Sequence, residues 1–518
     1  MSRLRARLRP LLLFAWAGLF AVLCVIPPES NLQRVRAPRP SPERRGGPNV
    51  LIIVADDHAG GTLGIDGDPR QATPMLDALA RQGVRFDRAY CNSPLCTPSR
   101  QALITGRLPH AVGVTRLSSK LPDDAVTLGD WLTDFGYRTA AYGKMHFNSR
   151  SRHGFSERLD TRDWRAWLEA HPPLGGDLRR PWHPFVDPPA VWLNAACRDA
   201  GLPEASMEST FYADRAVEFL RRRREDAAPF ALVVSFYEPH SPFRFPRGDQ
   251  GRYRPGQFPV PPLSDSDRRE QPEVFRPLLP GDIQGIQAAY YTSLSFLDRQ
   301  AGRVVAALDE LGLGQDTLVV YVGDNGYLLG QHGRFEKHCM YEPAVRVPLL
   351  LRWPGRLPAD RAVSDMVEMV DVLPTVLDLL NLPLPSDLHG QSLVAVAQGR
   401  AGAKGRDVVF SEYLECEEAM VRSERHKLVV GSGLRALKDG CVPRGTPPSA
   451  YERLYDLEAD PGETTDVADR PELNAVRNEL RRRLYERLTS TRLGVEPVPS
   501  GLNEAQAIQW CLVPRDER

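Results

Sequence analysis

The chain has 518 residues, which is long enough for a large α/β domain and a smaller second one. Lys and Arg together number 66, as do Asp and Glu, so no global field favours nucleic acid or an anionic membrane as a partner. Hydrophobic residues make up 42% and charged residues 25%, as in ordinary globular proteins, so any selectivity for anions must come from a local site.

Residues 1–26 are typical of an export segment. A stretch with arginine at positions 3, 5, 7 and 9 precedes an apolar run over 11–26. The run is long for a signal peptide and short for a membrane-spanning helix, and no small-x-small cleavage site follows it. A cleaved signal and an uncleaved membrane anchor are therefore both open, and either predicts an exported protein. Residues 27–47, rich in Arg and Pro, are predicted to be a linker.

Four predicted strands each lead into polar residues. The apolar run 50–55 ends in Asp56-Asp57, as a central strand of a parallel sheet would. The other three strands are 138–142, leading into Lys144 and His146; 230–236, leading into His240; and 317–322, leading into Asp324 and Asn325. Open α/β sheets bind ligands at the carboxyl ends of their strands, so these polar side chains are predicted to converge.

Predicted helices alternate with these strands, over 74–82, 128–135, 211–224 and 283–311. The alternation predicts an α/β fold with a large, mainly parallel (mixed) sheet flanked by helices.

Between the first two strands stands Cys96-Thr97-Pro98-Ser99-Arg100. Pro98 suits the first turn of a helix, and Arg100 would lie one turn beyond Cys96 on the same face. Taken alone, the pattern also allows Thr97 to cap a helix and Cys96 to be a small buried residue or half of a disulfide. Together with the strand-end residues, the motif resembles the type I, formylglycine-dependent sulfatases of the alkaline phosphatase superfamily, which carry cysteine followed by x-Pro-Ser-Arg.

A second block of sequence supports the resemblance, from Gly326-Tyr327 through Lys337 to Arg346-Val347-Pro348. The likeness is good over roughly 49–380 and loose beyond it. It implies that a maturation enzyme oxidises Cys96 to formylglycine, whose hydrated aldehyde is the nucleophile. A diol ester can expel sulfate by C–O cleavage, whereas a serine ester would require water to attack at sulfur.

Asp56, Asp57, Asp324 and Asn325 offer oxygen ligands, which suit a hard divalent cation. The resemblance implies that they hold one cation, Ca²⁺ or alternatively Mg²⁺, and that the formylglycine made from Cys96 completes the shell. The metal would polarise the sulfate oxygens and favour the deprotonated diol. The Asp56-Asp57 pair taken alone would be read as a solvated turn.

Three basic residues and two histidines complete the predicted catalytic set. By resemblance, Arg100 orients the formylglycine, and Lys144 and Lys337 neutralise the sulfate as charge builds on it. His146 would bind the diol and take its proton, while His240 would protonate the leaving alcohol. For any one of these residues considered alone, a surface lysine or a structural histidine is the ordinary alternative.

Residues 150–197 form a long insert between strands, where loops that determine specificity are expected. Half of the 8 tryptophans fall there beside basic side chains, the set being Trp164, Trp167, Trp182, Trp192, Arg150, Arg152, His153, Arg158 and Arg162. Such residues suit stacking on a sulfated sugar and contact with further sulfates. The alternative, weighted equally, is that the tryptophans pack the insert onto the core.

After residue 404 the pattern changes to short strand-like segments, at 407–410 and 427–430, which precede Leu454-Tyr455-Asp456-Leu457-Glu458 and a charged helix over 471–488. The predicted organisation is a catalytic domain over 48–404 and a smaller α+β subdomain over 405–518. The 8 cysteines show no C-x-x-C spacing, so a zinc site has little support, and a Cys416–Cys441 disulfide is a guess.

The sequence therefore predicts an exported hydrolase of sulfate monoesters, acting on a sulfated small molecule or carbohydrate. A phosphodiester or phosphonate monoester hydrolase of the same superfamily is the closest alternative, because a tetrahedral anion fits both pockets; Asn325 and the Lys144–His146 pair favour sulfate. A non-catalytic, membrane-anchored binding protein is the second alternative, although no predicted ligand or basic residue is missing.

Overall fold

The computed structural model describes residues 46–173, 201–224, 226, 228–433, 449–492 and 496–514. The predicted export segment, most of the linker, Cys441, Trp182 and Trp192 lie outside these ranges. Within them, no helix has both the length and the apolar character needed to cross a membrane. The predictions of export and of a Cys416–Cys441 disulfide therefore stay predictions.

Two β-sheets organise the described chain. Their strands are β1 (Asn49–Asp56), β2 (Val84–Tyr90), β3 (Arg138–Gly143), β4 (Glu157–Leu159), β5 (Phe230–Pro239), β6 (Thr317–Gly323), β7 (Arg346–Arg352), β8 (Arg361–Glu368), β9 (Val409–Tyr413), β10 (Glu418–Arg422), β11 (His426–Gly431) and β12 (Tyr451–Asp456). The larger sheet has 8 strands in the order β4-β3-β5-β1-β6-β7-β2-β8. Its neighbours pair in parallel except where β7 meets β6 and β2. The predicted mainly parallel, mixed sheet is confirmed.

Helices cover both faces of the larger sheet. The described α-helices are α1 (Pro74–Arg81), α2 (Cys96–Thr105), α3 (Pro109–Val112), α4 (Leu128–Asp134), α5 (Thr161–Ala170), α6 (Glu208–Arg223), α7 (Asp265–Glu270), α8 (Pro280–Glu310), α9 (Glu342–Val345), α10 (Val372–Leu379), α11 (Val394–Ala397), α12 (Asn474–Ser490) and α13 (Glu504–Leu512). The helices expected from the sequence coincide with α1, α4, α6, α8 and α12 to within a few residues.

Strand β1 is buried throughout because helices cover it on both sides. Val50, Ile52 and Val54 point into a core shared with α2, α4 and α10, whereas Leu51 and Ile53 pack with α6 and α8 on the other face. Successive side chains of a strand point to opposite faces, so a continuous apolar run is what a central strand between two helical layers requires.

Helix α2 carries the Cys-x-Pro-Ser-Arg motif and is buried along its whole length. Its N-cap is Leu95, in an extended conformation, so the alternative in which Thr97 caps the helix is wrong. Pro98 falls in the first turn, where its missing N–H is tolerated. Cys96 and Arg100 therefore lie one turn apart, as the spacing predicts.

The described part of the insert packs onto the core. The Nε1 of Trp164 donates to a backbone carbonyl just before α6, and the ring of Trp167 packs on the first turn of α6. Arg158 donates to backbone carbonyls within the insert, and Arg162 pairs with Asp160. For the two described tryptophans, packing rather than sugar stacking is what the structure supports.

The smaller sheet has 4 antiparallel strands in the order β12-β11-β10-β9 and packs against α12 and α13. It joins the larger sheet through β9, where the backbone N–H of Glu412 donates to the Asn92 carbonyl and its carboxylate contacts Nδ1 of His110 at 2.6 Å. This smaller α+β element matches the prediction, while the boundary at 404/405 stays a prediction.

Candidate active site

Four strands deliver the predicted polar residues to one edge of the larger sheet. The Asp56-Asp57 pair stands at the end of β1, Lys144 follows β3, His240 follows β5, and Asp324 follows β6. Because β3, β5, β1 and β6 are consecutive and parallel, their carboxyl ends lie side by side. Cys96, the first residue of α2, lies at the same edge, as the contacts of its sulfur show.

Cys96 is buried among charged groups. Its Sγ lies 2.6 Å from Nζ of Lys337 and 3.8 Å from Nζ of Lys144, and Lys337 also contacts the carboxylate of Asp57. Burial, with a contribution from the Asp56 carboxylate, raises the pKa of the Cys96 thiol to about 12. Cysteines that act directly as nucleophiles have depressed pKa values, so this thiol does not have the properties of one.

Asp57, Asp324 and Asn325 are joined by hydrogen bonds across the ends of β1 and β6. The Nδ2 of Asn325 donates to Oδ1 of Asp57 at 2.7 Å, and Oδ1 of Asp324 accepts from the backbone N–H groups of Asp57 and Asn325 at 3.0 and 2.7 Å. Three buried oxygens, Oδ1 of Asp56, Oδ2 of Asp57 and Oδ1 of Asn325, have no hydrogen-bond partner in the described structure. Buried polar atoms are normally paired, so these three call for a ligand.

The unpaired oxygens fit a hard divalent cation. One ligand atom from each of Asp56, Asp57, Cys96 and His240 lies within 4.8 Å of the others. With Asp324 and Asn325 beside them, carboxylate and amide oxygens dominate the donor set, which favours Ca²⁺ or Mg²⁺ over zinc.

Buried cations face these carboxylates. The Nζ of Lys144 contacts the carboxylate of Asp56, and Nε of Arg100 donates to Oδ2 of Asp324 at 2.7 Å. Burial alone would raise the pKa of Asp56, but the charges of Lys144 and Arg100 hold it well below its usual range. Arg100 therefore braces two predicted metal ligands, and its predicted action on Cys96 stays a prediction.

His146 and His240 approach the site from different strands. The Nδ1 of His146 lies 3.2 Å from Oγ1 of Thr97, and Nε2 of His240 lies 3.8 Å from Oδ2 of Asp57. The Nδ1 of His240 contacts the carbonyl oxygen of the next residue, which makes Nδ1 the donor and leaves Nε2 to exchange protons. Burial lowers the pKa of both rings, in His240 to about 3.

Two further histidines near Lys337 are stacked on tyrosine rings. The Nδ1 of His332 pairs with Asp267 at 2.7 Å, and its ring stacks on Tyr341 with centroids 3.6 Å apart. His338 stacks on Tyr413 at 5.7 Å. Both rings therefore hold the loop that carries Lys337.

Tyr237 was not predicted from the sequence, and its ring contacts two predicted site residues, Lys144 and His240, together with Arg244. Nζ of Lys144 lies 4.8 Å and Cζ of Arg244 4.3 Å from its ring centroid, and the His240 ring packs at 5.1 Å. Such cation–π contacts restrict where Lys144 points. The available signal was the position of Tyr237 at the end of a predicted strand, three residues before His240.

Comparisons with family models match most of the chain. A model described as Sulfatase matches residues 48–382, and one described as N-sulphoglucosamine sulphohydrolase, C-terminal, matches residues 330–490.

Curated proteins of related sequence match over nearly the whole chain. An arylsulfatase of Clostridium perfringens is 27% identical over 85% of this chain and 94% of its own. A choline-sulfatase of Rhizobium meliloti is 29% identical over 90% of each chain. Human arylsulfatase K is 28% identical over 88% of this chain and 84% of its own.

Solved structures share the fold. A phosphonate monoester hydrolase of Agrobacterium radiobacter superposes with a TM-score of 0.70 at 25% identity, covering 86% of this chain and 96% of its own. A protein solved with its substrate D-glucosamine-2-N,6-O-disulfate superposes with a TM-score of 0.69 at 22% identity, covering 87% and 99%. At that identity the second match speaks for the fold alone.

Proposed function

The chain belongs to the sulfatase family of sulfuric ester hydrolases, and on this premise we propose that it hydrolyses sulfate monoesters with a formylglycine nucleophile made from Cys96. One observation carries the proposal. The buried Cys96 sulfur lies within 3.8 Å of the ammonium groups of Lys144 and Lys337, which also contact the carboxylates of the predicted metal ligands Asp56 and Asp57. A nucleophile at this position faces cations suited to an anionic ester.

The surroundings of Cys96 suit a modified residue better than a free thiol. Formylglycine supplies a hydrated aldehyde that can form and break a sulfate ester without attack of water at sulfur. Cys96 itself occupies the N-terminus of α2, where the helix dipole stabilises negative charge. The raised pKa of the unmodified thiol leaves it a poor nucleophile.

The metal ligands would be Asp56, Asp57, Asp324, Asn325 and the formylglycine at Cys96. A bound Ca²⁺ or Mg²⁺ would supply Lewis acidity toward the sulfate oxygens. The three buried oxygens described above support such an ion, because none of them accepts a hydrogen bond in the described structure, although Oδ1 of Asp56 lies 3.3 Å from Arg100 and Oδ2 of Asp57 lies 3.8 Å from His240.

Lys144 and Lys337 would bind the sulfate group. Each ammonium contacts one carboxylate of the Asp56-Asp57 pair and approaches the Cys96 sulfur, so both lie between the metal ligands and the nucleophile. Burial would lower the pKa of Lys337, but Asp57 and Cys96 keep it well above its usual value, so the group stays charged. Fixed cations of this kind stabilise charge that grows on the sulfate oxygens.

His146 and His240 would move the protons. His146 lies beside Thr97, next to the nucleophile, so it is placed to take a proton there. His240 directs Nε2 toward Asp57, and once that nitrogen has taken up a proton it would give the proton to the leaving oxygen. Arg100 would hold Asp324 and Asp56 in position.

For substrate class we propose a sulfated carbohydrate. Named relatives include an ulvan-active sulfatase of Formosa agariphila, 26% identical, and an iduronate 2-sulfatase of Mus musculus, 28% identical. The tryptophans Trp164 and Trp167 give no support, because they pack on the core. The choline-sulfatase relative makes a small sulfated alcohol the alternative substrate.

A phosphonate monoester hydrolase is the second candidate, favoured by the Agrobacterium radiobacter structure at 25% identity. The deciding experiment compares kcat/KM for 4-nitrophenyl sulfate with that for a phenylphosphonate monoester, using one preparation of mature protein. Sulfate should be preferred; a clear preference for the phosphonate would contradict the proposal.

We also propose that the protein is exported and matured by a formylglycine-generating or equivalent enzyme. The basic and apolar N-terminal residues 1–26 support export. Cell fractionation of the full-length protein, beside a variant lacking those residues, tests this: equal distribution of the two would contradict export.

A further inference from the structure

A cavity of about 360 Å³, with both polar and apolar walls, lies beside the proposed site and shares none of its catalytic or metal-binding residues. Its walls come from Gly60 and Gly61 just after β1, from α8, from the loop after β6, and from residues 461–463 of the smaller α+β element. Small-molecule pockets span roughly 300–1,000 Å³, so the cavity is large enough for a ligand of monosaccharide size.

Arg346 supplies the cavity with a guanidinium group that has no hydrogen bond or ion pair in the described structure. Its side chain lies across two glycines: a Cβ at Gly60 would stand 3.0 Å from Nε of Arg346, and a Cβ at Gly61 would stand 2.9 Å from its Nη2. Gly61 also has a φ of 83°, which other residues rarely adopt. The two glycines therefore leave room for the guanidinium to lie against the backbone.

The other charges around the cavity are already matched. Arg70 pairs with a buried aspartate, and Glu342 and Glu463 both pair with Lys427, at 2.8 and 2.7 Å. Glu342 also lies 3.3 Å from a second cation, Nε of Arg422. Arg346 has no ion pair of its own among the described residues, although its charge also acts on Glu342 and Asp66, so its guanidinium is available for a charge-assisted contact with an anion.

A second side chain of the cavity wall carries a polar atom without a hydrogen-bond partner in the described structure. Gln287 of α8 lines the cavity with only 5% of its surface exposed. Its Nε2 donates to the Leu329 carbonyl at 2.7 Å, whereas its Oε1 has no hydrogen-bond partner in the described structure. Since a buried amide oxygen is normally paired, Gln287 calls for a donor such as a hydroxyl. Phe258 and Tyr291 add aromatic walls.

We propose that this cavity binds a monoanionic sugar derivative, whose carboxylate or sulfate pairs with Arg346 and whose hydroxyl donates to Oε1 of Gln287. The ligand is either a free sugar acid or a charged unit of a longer substrate chain, since the two present the same groups. The proposal is separate from catalysis at Cys96, because none of the catalytic residues lines the cavity.

Saturation-transfer NMR of glucuronate with the mature full-length protein tests the site, with glucose as the neutral control. Glucuronate should bind and glucose should not. Arg346→Gln should weaken glucuronate binding at least about tenfold, since a charge-assisted contact is lost. The matched control is Arg85→Gln, which changes an arginine paired with Asp87 outside the cavity and should leave binding unchanged. Glucuronate carries no sulfate ester, so this result does not depend on sulfatase activity.

A second variant, Gln287→Leu, keeps the proposal testable if the Arg346 variant fails to fold. It should also weaken the binding of glucuronate while leaving the far-UV circular dichroism spectrum unchanged. Kinetics then separate the two sources. If the ligand is a charged unit of the substrate, Arg346→Gln should raise KM for a uronate-containing sulfated disaccharide but not for an aryl sulfate. If the ligand is a free sugar acid, KM should be unchanged for both substrates. Equal glucuronate affinity in wild type and both cavity variants, or equal binding of glucose and glucuronate, would overturn the proposal.

Discussion

Replacing Lys427 by methionine should destabilise the protein and loosen the loop that carries Lys337. Lys427 has none of its surface exposed and lies in β11 of the smaller sheet. Its Nζ contacts Oε1 of Glu463 at 2.7 Å and Oε1 of Glu342 at 2.8 Å, and donates to the Met340 carbonyl at 2.9 Å. One ammonium thus ties the smaller sheet to the segment that begins three residues after Lys337.

The expected loss in free energy of unfolding depends on which contacts the carboxylates of Glu342 and Glu463 retain. Removing one partner of a buried ion pair costs about 3–5 kcal/mol, because the other charge is left buried. Glu342 retains Arg422 and the Tyr90 hydroxyl, and Glu463 retains the backbone N–H of Glu342, so we expect about 3 kcal/mol. The loss should appear as a lower urea midpoint and a reduced kcat on aryl sulfate.

The pH dependence of this loss is diagnostic. Burial raises the pKa of Glu463 even beside Lys427, and removing the ammonium should raise that pKa further. The folded variant then binds a proton more readily than the unfolded chain. The difference in unfolding free energy between wild type and variant should therefore shrink as the pH falls from 8 to 5. The control is Arg425→Met, an exposed arginine just before β11, which should leave the midpoint unchanged. A deficit equal at both pH values, or equal to that of the control, would refute the reasoning.

Three further predictions concern the site and its surroundings. Asp324→Ala should lower both bound Ca²⁺ or Mg²⁺ and activity, because a hard cation loses one of few anionic ligands; stoichiometric zinc in elemental analysis would contradict the metal assignment. His240→Ala should slow sugar sulfates about 10²–10⁴-fold more than nitrophenyl sulfate, whose leaving group needs no proton; equal fractional losses in kcat/KM would show that His240 positions the sulfate instead. His389 accepts the backbone N–H of Leu108 at its Nδ1, and burial lowers its pKa to about 3, so the unfolded chain binds the proton first and stability should fall as the pH drops below about 6.5. His389→Gln should make the urea midpoint less dependent on pH between 7.5 and 5; an unchanged dependence would show that this ring is not the source.

Central strands were predictable because two helical layers impose a simple pattern on them. The runs at 50–55, 230–236 and 317–322 are apolar on both faces, and they became β1, β5 and β6. Their polar ends could be placed together because parallel neighbours share one edge.

Strand β7 shows where that pattern fails. Pro348 lies inside it, and proline within a run argues against an interior strand because it lacks an N–H. The structure nevertheless places β7 between β6 and β2. Pairing with β2 is irregular between Phe86 and Ala89, and Pro348 stands opposite that irregularity, so its missing donor breaks no regular hydrogen bond there.

The reactive residues of the site were predictable one by one, whereas their supports were not. Lys427 stands 90 residues beyond Lys337 in the chain, within a short strand that carries no motif. The position of Tyr237 at the end of a predicted strand places it near the site, but that position does not indicate a contact with Lys144. Contacts between distant segments depend on how the sheets pack, and local periodicity does not contain that information.

The most direct test of the central claim is the mass of the tryptic peptide that contains Cys96, measured on protein produced with and without a formylglycine-generating enzyme. We predict that the matured sample contains an aldehyde in place of the thiol, that hydrazide reagents label this peptide, and that turnover of aryl sulfate rises in proportion to the labelled fraction. A Cys96→Ala variant should be folded and inactive in the same assay. Full turnover by protein whose Cys96 is entirely unmodified, or by the Cys96→Ala variant, would contradict the account.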